Sequence, residues 1–312
     1  MKINLSLLII FFFCLSYIPS FSQTVVSGII VDAKNSEPIT SANTYINNSQ
    51  LGTVSSIDGK FSFSVDITGR FELFVSFIGY NTIKKTIYTG KSQNLTIKLV
   101  ENKMQLNEFE VKSSRDKNWE KQFKKFKNIF LGESSFSKDC EILNPWSIEF
   151  TKENGSLVAS SDQLLKIKNN ALGYMVIYFL EEFKHNANKT IYKGLISFEK
   201  LTPVNYDQYN KWKKNREIAY KGSLNHFLNI VINGDLSKSG FEAKFVNNRQ
   251  DEKSGELHKR DPISSVPVSA KTMFDFRNEN RLLKFNKNIL ITYYNERDKE
   301  GKEQTSWIEQ NF

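Results

Sequence analysis

Arg216, Tyr220, Ser223 and His226 follow one another at spacings of four, three and three residues. On one continuous helix they would share a face, where a guanidinium, a phenol and an imidazole together suit a carboxylate or a sugar hydroxyl. Ser223 and His226 also raise the question of a nucleophile and its base. A nucleophilic serine normally sits on a tight turn between glycines, beside an imidazole oriented by a carboxylate. Gly222-Ser223-Leu224-Asn225-His226 supplies one glycine and an imidazole on the same segment, so the pattern is incomplete. Gly222 also interrupts the helical register. The plainer expectation is that Arg216 and His226 bond to buried carbonyls while Tyr220 packs.

Metal and thiol chemistry have less to work with. The three histidines, His185, His226 and His258, are scattered along the chain. Ser55, Ser56 and Asp58 do not supply the alternating oxygen ligands of a calcium loop, and Asp58-Gly59 reads as a hairpin turn. Of the two cysteines, Cys14 lies in an N-terminal leader and Cys140 is left alone. One cysteine cannot form an internal disulfide, and a lone one is usually a small buried hydrophobe. The residues support no catalytic, cofactor-binding or metal-binding set, and the chain reads as a non-enzyme.

The leader fixes the compartment. Lys2 precedes an apolar run from Leu5 to Ile18 broken only by Ser6 and Ser16, followed by Pro19 and the small residues Ser20 and Ser22. A positive start, a short apolar core and a small-residue end make a secretory signal peptide, residues 1–22, cut between Ser22 and Gln23. An uncleaved anchor is the alternative, although a span usually needs ~20 apolar residues. Phe11-Phe12-Phe13 ahead of Cys14 lacks the small residues of a lipid-attachment site. No later segment is long and apolar enough to span as a helix. The mature chain is expected to be exported to the periplasm, outer membrane or cell surface.

The 312 residues suggest two domains, and 25 Phe against 6 Pro favour packed strands and helices over linkers. Net charge is +9, or +8 without Lys2, with acids interleaved among the bases. Such a balance can favour anionic partners, but export argues against nucleic acid, and a solvated surface is the simpler reading.

From Gln23 to about residue 100 the apolar residues alternate in steps of two, as in Val26, Gly28 and Ile30, then Phe61, Phe63 and Val65, then Leu73, Val75 and Phe77. About seven short strands with frequent turns predict an antiparallel β-sandwich. The order Gly28…Val31-Asp32, Glu37-Pro38-Ile39, Ala42-Asn43, Gly52-Thr53, Asp58-Gly59-Lys60-Phe61, Phe77-Ile78-Gly79-Tyr80 resembles the carboxypeptidase regulatory-like domain over residues 25 to 111. The resemblance implies a transthyretin-like (prealbumin-like) sandwich. It also implies an exported Gram-negative bacterial context, since the domain often precedes the plug of energy-coupled outer-membrane receptors. It confers no peptidase activity. A zinc carboxypeptidase needs His-x-x-Glu plus a further His, and none of the three histidines has Glu three residues on; His258 has Asp261.

Residues 101–118 lose the alternation and read as a linker. Asn118 is placed to cap a helix with Trp119, Phe123, Phe126 and Phe130 on one face and Lys121, Lys124, Lys125 and Lys127 on others. Two readings follow: peripheral membrane contact through the 119–130 helix, or an ordinary helix docking its aromatic stripe on the second domain. Strands are expected at 148–150, 157–160, 164–168, 174–183 and 190–198, with Asn186-Ala187-Asn188-Lys189 as a turn. Met175 to Leu180 is apolar on both faces and must be covered on both sides. A helical segment from Tyr206 to Ile232, broken near Gly222-Ser223, leads to strands from Gly240 and a long exposed loop over 247–265. The fold expected for 119–312 is a β-rich α+β domain with two main helical segments.

Asn144-Pro145, Asn169-Asn170-Ala171-Leu172-Gly173-Tyr174, Leu201-Thr202-Pro203 and Trp212…Asn215-Arg216…His226-Phe227-Leu228 resemble an exported bacterial family that joins the regulatory-like domain to this second domain. The resemblance lends architecture and no catalytic residues. Members run on past the point matching Trp307, which implies a C-terminally short sequence. Three functions follow as expectations. The first is a non-enzymatic envelope protein whose sandwich is a spacer or docking module and whose second domain binds a protein or glycan. The second is an envelope hydrolase using Arg216–His226, and the third an accessory component of an outer-membrane receptor system.

Overall fold

The computed structural model describes residues 24–66, 69–102, 117–233, 236–246, 263–268, 273–277, 280–283, 288–297 and 303–308. The expected signal peptide 1–22, most of the 101–118 linker and His258 lie outside them. The chain divides into two compact units, Met1–Tyr206 and Asp207–Phe312, so the division falls within the expected 119–312 domain.

In the first unit, alternating apolar residues build β1 (Thr24–Asp32), β2 (Asn43–Ile46), β3 (Gly52–Val54), β4 (Lys60–Val65), β5 (Gly69–Ser76), β6 (Ile83–Thr89) and β7 (Gln93–Leu99). They form two facing sheets, ordered β4-β1-β7 and β3-β2-β5-β6. Val26, Ile30, Phe61, Leu73, Val75 and Leu99 fill the space between them. One pair departs from the antiparallel expectation: β1 and β7 run parallel from Val26↔Gln93 to Asp32↔Leu99. Alternation reports which face a side chain takes, not the direction of the neighbouring strand, so this pairing was hidden in the sequence.

A six-stranded sheet follows, from β8 (Cys140–Ile142), β9 (Ile148–Glu153), β10 (Ser156–Ser161), β11 (Leu165–Asn169), β12 (Tyr174–His185) and β13 (Thr190–Lys200). The β12–β13 hairpin closes where expected, with the Asn186 side chain accepting the N–H groups of Asn188 and Lys189, both at 2.9 Å. β11 and β10 pair with successive parts of one edge of β12, and β13 pairs along the other.

Both faces of β12 are covered, by different parts of the chain. Val176, Tyr178 and Leu180 join a cluster that includes Phe126 of α1 (Lys117–Leu131). Met175, Ile177 and Phe179 join Tyr45 and Phe74 of the sandwich. α1 begins at Lys117, which places Asn118 in its first turn instead of at the cap. Its aromatic stripe is core: the Trp119 indole N–H donates to Ile148 O at 3.0 Å, and the Phe126 ring is completely buried. The stripe is therefore not free to insert into a lipid phase.

The sandwich is fastened to the second sheet at the β2–β3 turn. Asn48 N–H donates to Ile196 O at 2.7 Å, and Phe198 N–H to Ser49 O at 2.9 Å. The Asn47 side-chain oxygen accepts Ile196 N–H at 2.9 Å, and the Ser197 hydroxyl donates to Ser49 O at 3.0 Å. The turn thus lies along β13 as a short parallel addition, satisfying backbone groups that an edge strand would otherwise leave open. Beside it the Tyr45 hydroxyl donates to the Glu199 carboxylate at 2.9 Å, and Lys84 pairs with Glu181. Burial first, then the Glu199 bond, push the Tyr45 phenol pKa upward.

The second unit carries α2 (Tyr206–Tyr220) and α3 (Leu224–Asn233), separated at Gly222, whose φ of 77° ends the first helix. Its sheet has the order β15-β14-β18-β19, from β14 (Phe241–Val246), β15 (Ile263–Pro267), β18 (Asn288–Arg297) and β19 (Glu303–Ile308). A two-stranded ribbon pairs β16 (Phe274–Arg277) with β17 (Asn280–Leu283). Phe227 and Val231 of α3 pack on Phe241, Met273, Ile289 and Ile291. β15 starts at Ile263, inside the expected 247–265 loop, the rest of which lies outside the described residues.

Candidate functional site

The α2–α3 junction brings Tyr220, Ser223 and His226 together, with Arg216 half-buried one turn before Tyr220 on α2. Ser223 is the N-cap of α3. Its hydroxyl oxygen accepts the His226 backbone N–H at 3.2 Å, and its carbonyl accepts Phe227 N–H at 3.0 Å. The hydroxyl proton points to Tyr220 O at 2.7 Å. The His226 ring nitrogen Nδ1 accepts Gly222 N–H at 3.1 Å, so the neutral imidazole carries its proton on Nε2. Serine and imidazole are therefore both tied to backbone, and no proton path joins them. The spacing argument assumed one continuous helix, whereas α2 and α3 are separate, and the His226 ring bonds to an N–H in place of the expected carbonyl. The cap made by Ser223 explains why serine and imidazole converge without forming a nucleophile and base.

The His226 ring is packed as well as bonded. Its centroid lies 4.9 Å from Tyr220, 5.0 Å from Phe241 and 5.7 Å from Tyr293. Asn229 donates its side-chain N–H to the Tyr220 hydroxyl at 3.0 Å. Tyr220 itself stays 42% exposed, which leaves this end of α2 a partly open aromatic surface.

Other titratable groups are occupied structurally. Cys140 is half-buried with its thiol 3.6 Å from Phe136 O, and burial, followed by Asp139, pushes its pKa up, away from thiolate chemistry. His185, at the end of β12, has Nδ1 2.8 Å from the Thr190 hydroxyl; burial and then Lys125 lower its pKa. Among the described residues no three His, Cys, Asp or Glu side chains are grouped to hold a metal ion.

Two polar sites escaped the sequence reading. Asn144 is buried and fully engaged: its amide donates to Leu164 O at 3.0 Å and its oxygen accepts Lys166 N–H at 2.8 Å. Its position before Pro145 was the available signal, since such asparagines commonly organise turns. The second is Asp32. Its carboxylate accepts the Tyr80 hydroxyl at 2.8 Å and the N–H groups of Lys34 and Asn35 at 2.6 and 3.1 Å. The Tyr80 bond, then the two backbone bonds, lower the Asp32 pKa, while burial and then Asp32 push Tyr80 up to about 12.

That pair sets a pH signature. The Asp32 contribution is present above the unfolded carboxylate pKa of about 3.9 and is lost as pH falls through the lower folded value. The Tyr80 contribution is present below the unfolded tyrosine value of about 10 and is lost as pH rises through about 12. Tyr80→Phe should therefore be less stable than wild type at neutral pH, with the gap closing in acid and again above about pH 10. Urea unfolding across pH checks this; a gap independent of pH would contradict the assignment.

Residues 26–111 match the model of the CarboxypepD_reg-like domain, so the sandwich is similar to domains of that kind. No curated protein matches the chain. Among solved structures, a Bacteroides fragilis protein of unknown function, provisionally described as membrane-associated, is 11% identical and aligns over 59% of this chain and 84% of its own, with a TM-score of 0.22. A Bacteroides uniformis protein provisionally described as carbohydrate-binding is 8% identical over 57% and 99%, also with a TM-score of 0.22. A DUF3823 family protein from the same organism is 7% identical over 91% and 96%, with a TM-score of 0.21. At these scores none of the three bears on the function of this chain.

Proposed function

We propose that this chain is a non-enzymatic, exported envelope protein whose second part binds a protein or glycan partner. The observation that carries the reading is the α2–α3 junction, where the Ser223 hydroxyl donates to Tyr220 O, the His226 ring accepts Gly222 N–H, and the bond between the two residues runs from the His226 backbone N–H to the Ser223 hydroxyl and not through the imidazole. The N-terminal leader supports export, and the CarboxypepD_reg-like match supports an envelope setting. Among the described residues no helix is long and apolar enough to cross a membrane. The half-exposed Tyr220 surface is the favoured partner contact, since aromatic rings with a polar tip suit interfaces that are part apolar and part wet.

The test uses the mature chain from Gln23 onward against peptide and oligosaccharide substrate libraries and against an immobilised glycan panel. The expected result is no turnover, with Ser223→Ala losing about 1 kcal/mol of stability as a helix cap and no activity. Turnover that disappears in Arg216→Ala or His226→Ala, with the fold retained, would overturn the proposal.

A further inference from the structure

We infer that the outer face of α1 is an electrostatic contact surface for anionic lipid headgroups. The helix carries five lysines, Lys117, Lys121, Lys124, Lys125 and Lys127, against the single acid Glu120. At about 100° per residue, Lys117, Lys121 and Lys124 fall opposite the Phe126–Phe130 stripe. Because that stripe is held in the core, the lysine face is presented to solvent in a fixed orientation. Lys117, Lys121, Lys124 and Lys125 are exposed.

Their density sets them apart, with five lysines in the eleven residues from Lys117 to Lys127. Lys84, Lys184, Lys193 and Lys244 each have a carboxylate within salt-bridge distance. Among the described residues none of the five on α1 does. They are instead one another's neighbours at three and four residues, as in Lys117–Lys121–Lys125 and Lys121–Lys124–Lys127, and like charges so spaced oppose helix formation. A counter-charged surface relieves that repulsion. Lysine ammonium groups are hydrated point charges without the planar fork that arginine offers a single ligand. With Lys117 and Lys124 about 10 Å apart along a convex helix, they suit an extended array of phosphates more than one enclosed anion. No aromatic side chain of the stripe is free to insert, so the contact is purely electrostatic and reversed by salt.

The experiment is co-sedimentation of the mature chain with phosphatidylcholine vesicles, with and without phosphatidylglycerol, at increasing sodium chloride. Binding is expected only with phosphatidylglycerol and should fall steeply with salt. Replacing Lys117, Lys121 and Lys124 by Gln should weaken it by roughly five-fold per lysine, or about 100-fold together. The same three changed to Arg should bind as wild type. Should the triple Gln variant fail to fold, Lys121→Gln alone gives the single five-fold step. Equal binding by the Gln variants, salt-insensitive binding, or no binding to phosphatidylglycerol at low salt overturns the inference. Capture by an acidic polysaccharide without vesicle binding overturns the lipid assignment.

Discussion

Phe126→Ala is expected to destabilise the first unit by about 3–5 kcal/mol, the range for emptying a buried phenylalanine site. The ring is closed in by Phe183, Phe130 and Phe150 at centroid distances of 4.7, 4.9 and 5.7 Å. Phe183 and Phe150 lie on strands of the six-stranded sheet, so relaxation into the cavity would have to move the sheet itself. Partial collapse is why the cost exceeds simple transfer of the lost atoms. Phe126→Leu keeps most of the volume and should cost much less. Denaturant midpoints for the two variants check the order. A stripe serving as a membrane anchor would give the opposite pattern, with stability nearly unchanged and lipid binding abolished.

Gly28→Ala should rank close behind, at about 3 kcal/mol, the upper range for overpacking a core. Gly28 sits in the middle of β1, opposite Phe61 on β4 and Leu95 on β7. A Cβ there would lie 2.1 Å from the Leu95 carbonyl oxygen and 2.8 Å from a ring carbon of Phe61. The phenylalanine ring could rotate away, but the carbonyl is backbone within the β1–β7 pairing. Relief therefore requires the parallel pair to part, in the one place where the sandwich departs from antiparallel order. A urea midpoint indistinguishable from wild type would show that β7 yields easily and that the close approach is not structural.

Gly28 also illustrates what could be read from the residues alone. Its position in the regulatory-like pattern was evident, as were the alternating phenylalanines and the Asp58-Gly59 turn, because local backbone preference and side-chain period determine them. The β1–β7 pairing was not evident, because it joins residues 67 apart in sequence and alternation carries no directional information. β12 shows the same division. Its apolar character on both faces announced two covers, but not that one of them would be Tyr45 and Phe74 from the preceding sandwich. Asn47-Asn48-Ser49 read only as a turn, since a docking turn and a solvated one share the same composition. At the α2–α3 junction, spacing drew attention to Arg216, Tyr220, Ser223 and His226 as one helical face, but the helix breaks and the last three meet through the Ser223 cap. The Ser223 hydroxyl and the His226 ring are bonded to backbone atoms, which a side-chain pattern does not display.

The attachment of the β2–β3 turn to β13 bears on how separable the first sandwich is. A β-sandwich with its own core invites description as a separable cassette. Here one flank of the cassette is unfinished without its neighbour. An excised sandwich would turn Tyr45 and Phe74, now 7% and 0% exposed, toward water and leave Asn48 and Ser49 without their β13 partners. In this chain the cassette and the sheet after it form a joint structural unit: a substitution on β13 at Ile196–Phe198 is constrained by the turn at Asn47–Ser49, almost 150 residues earlier.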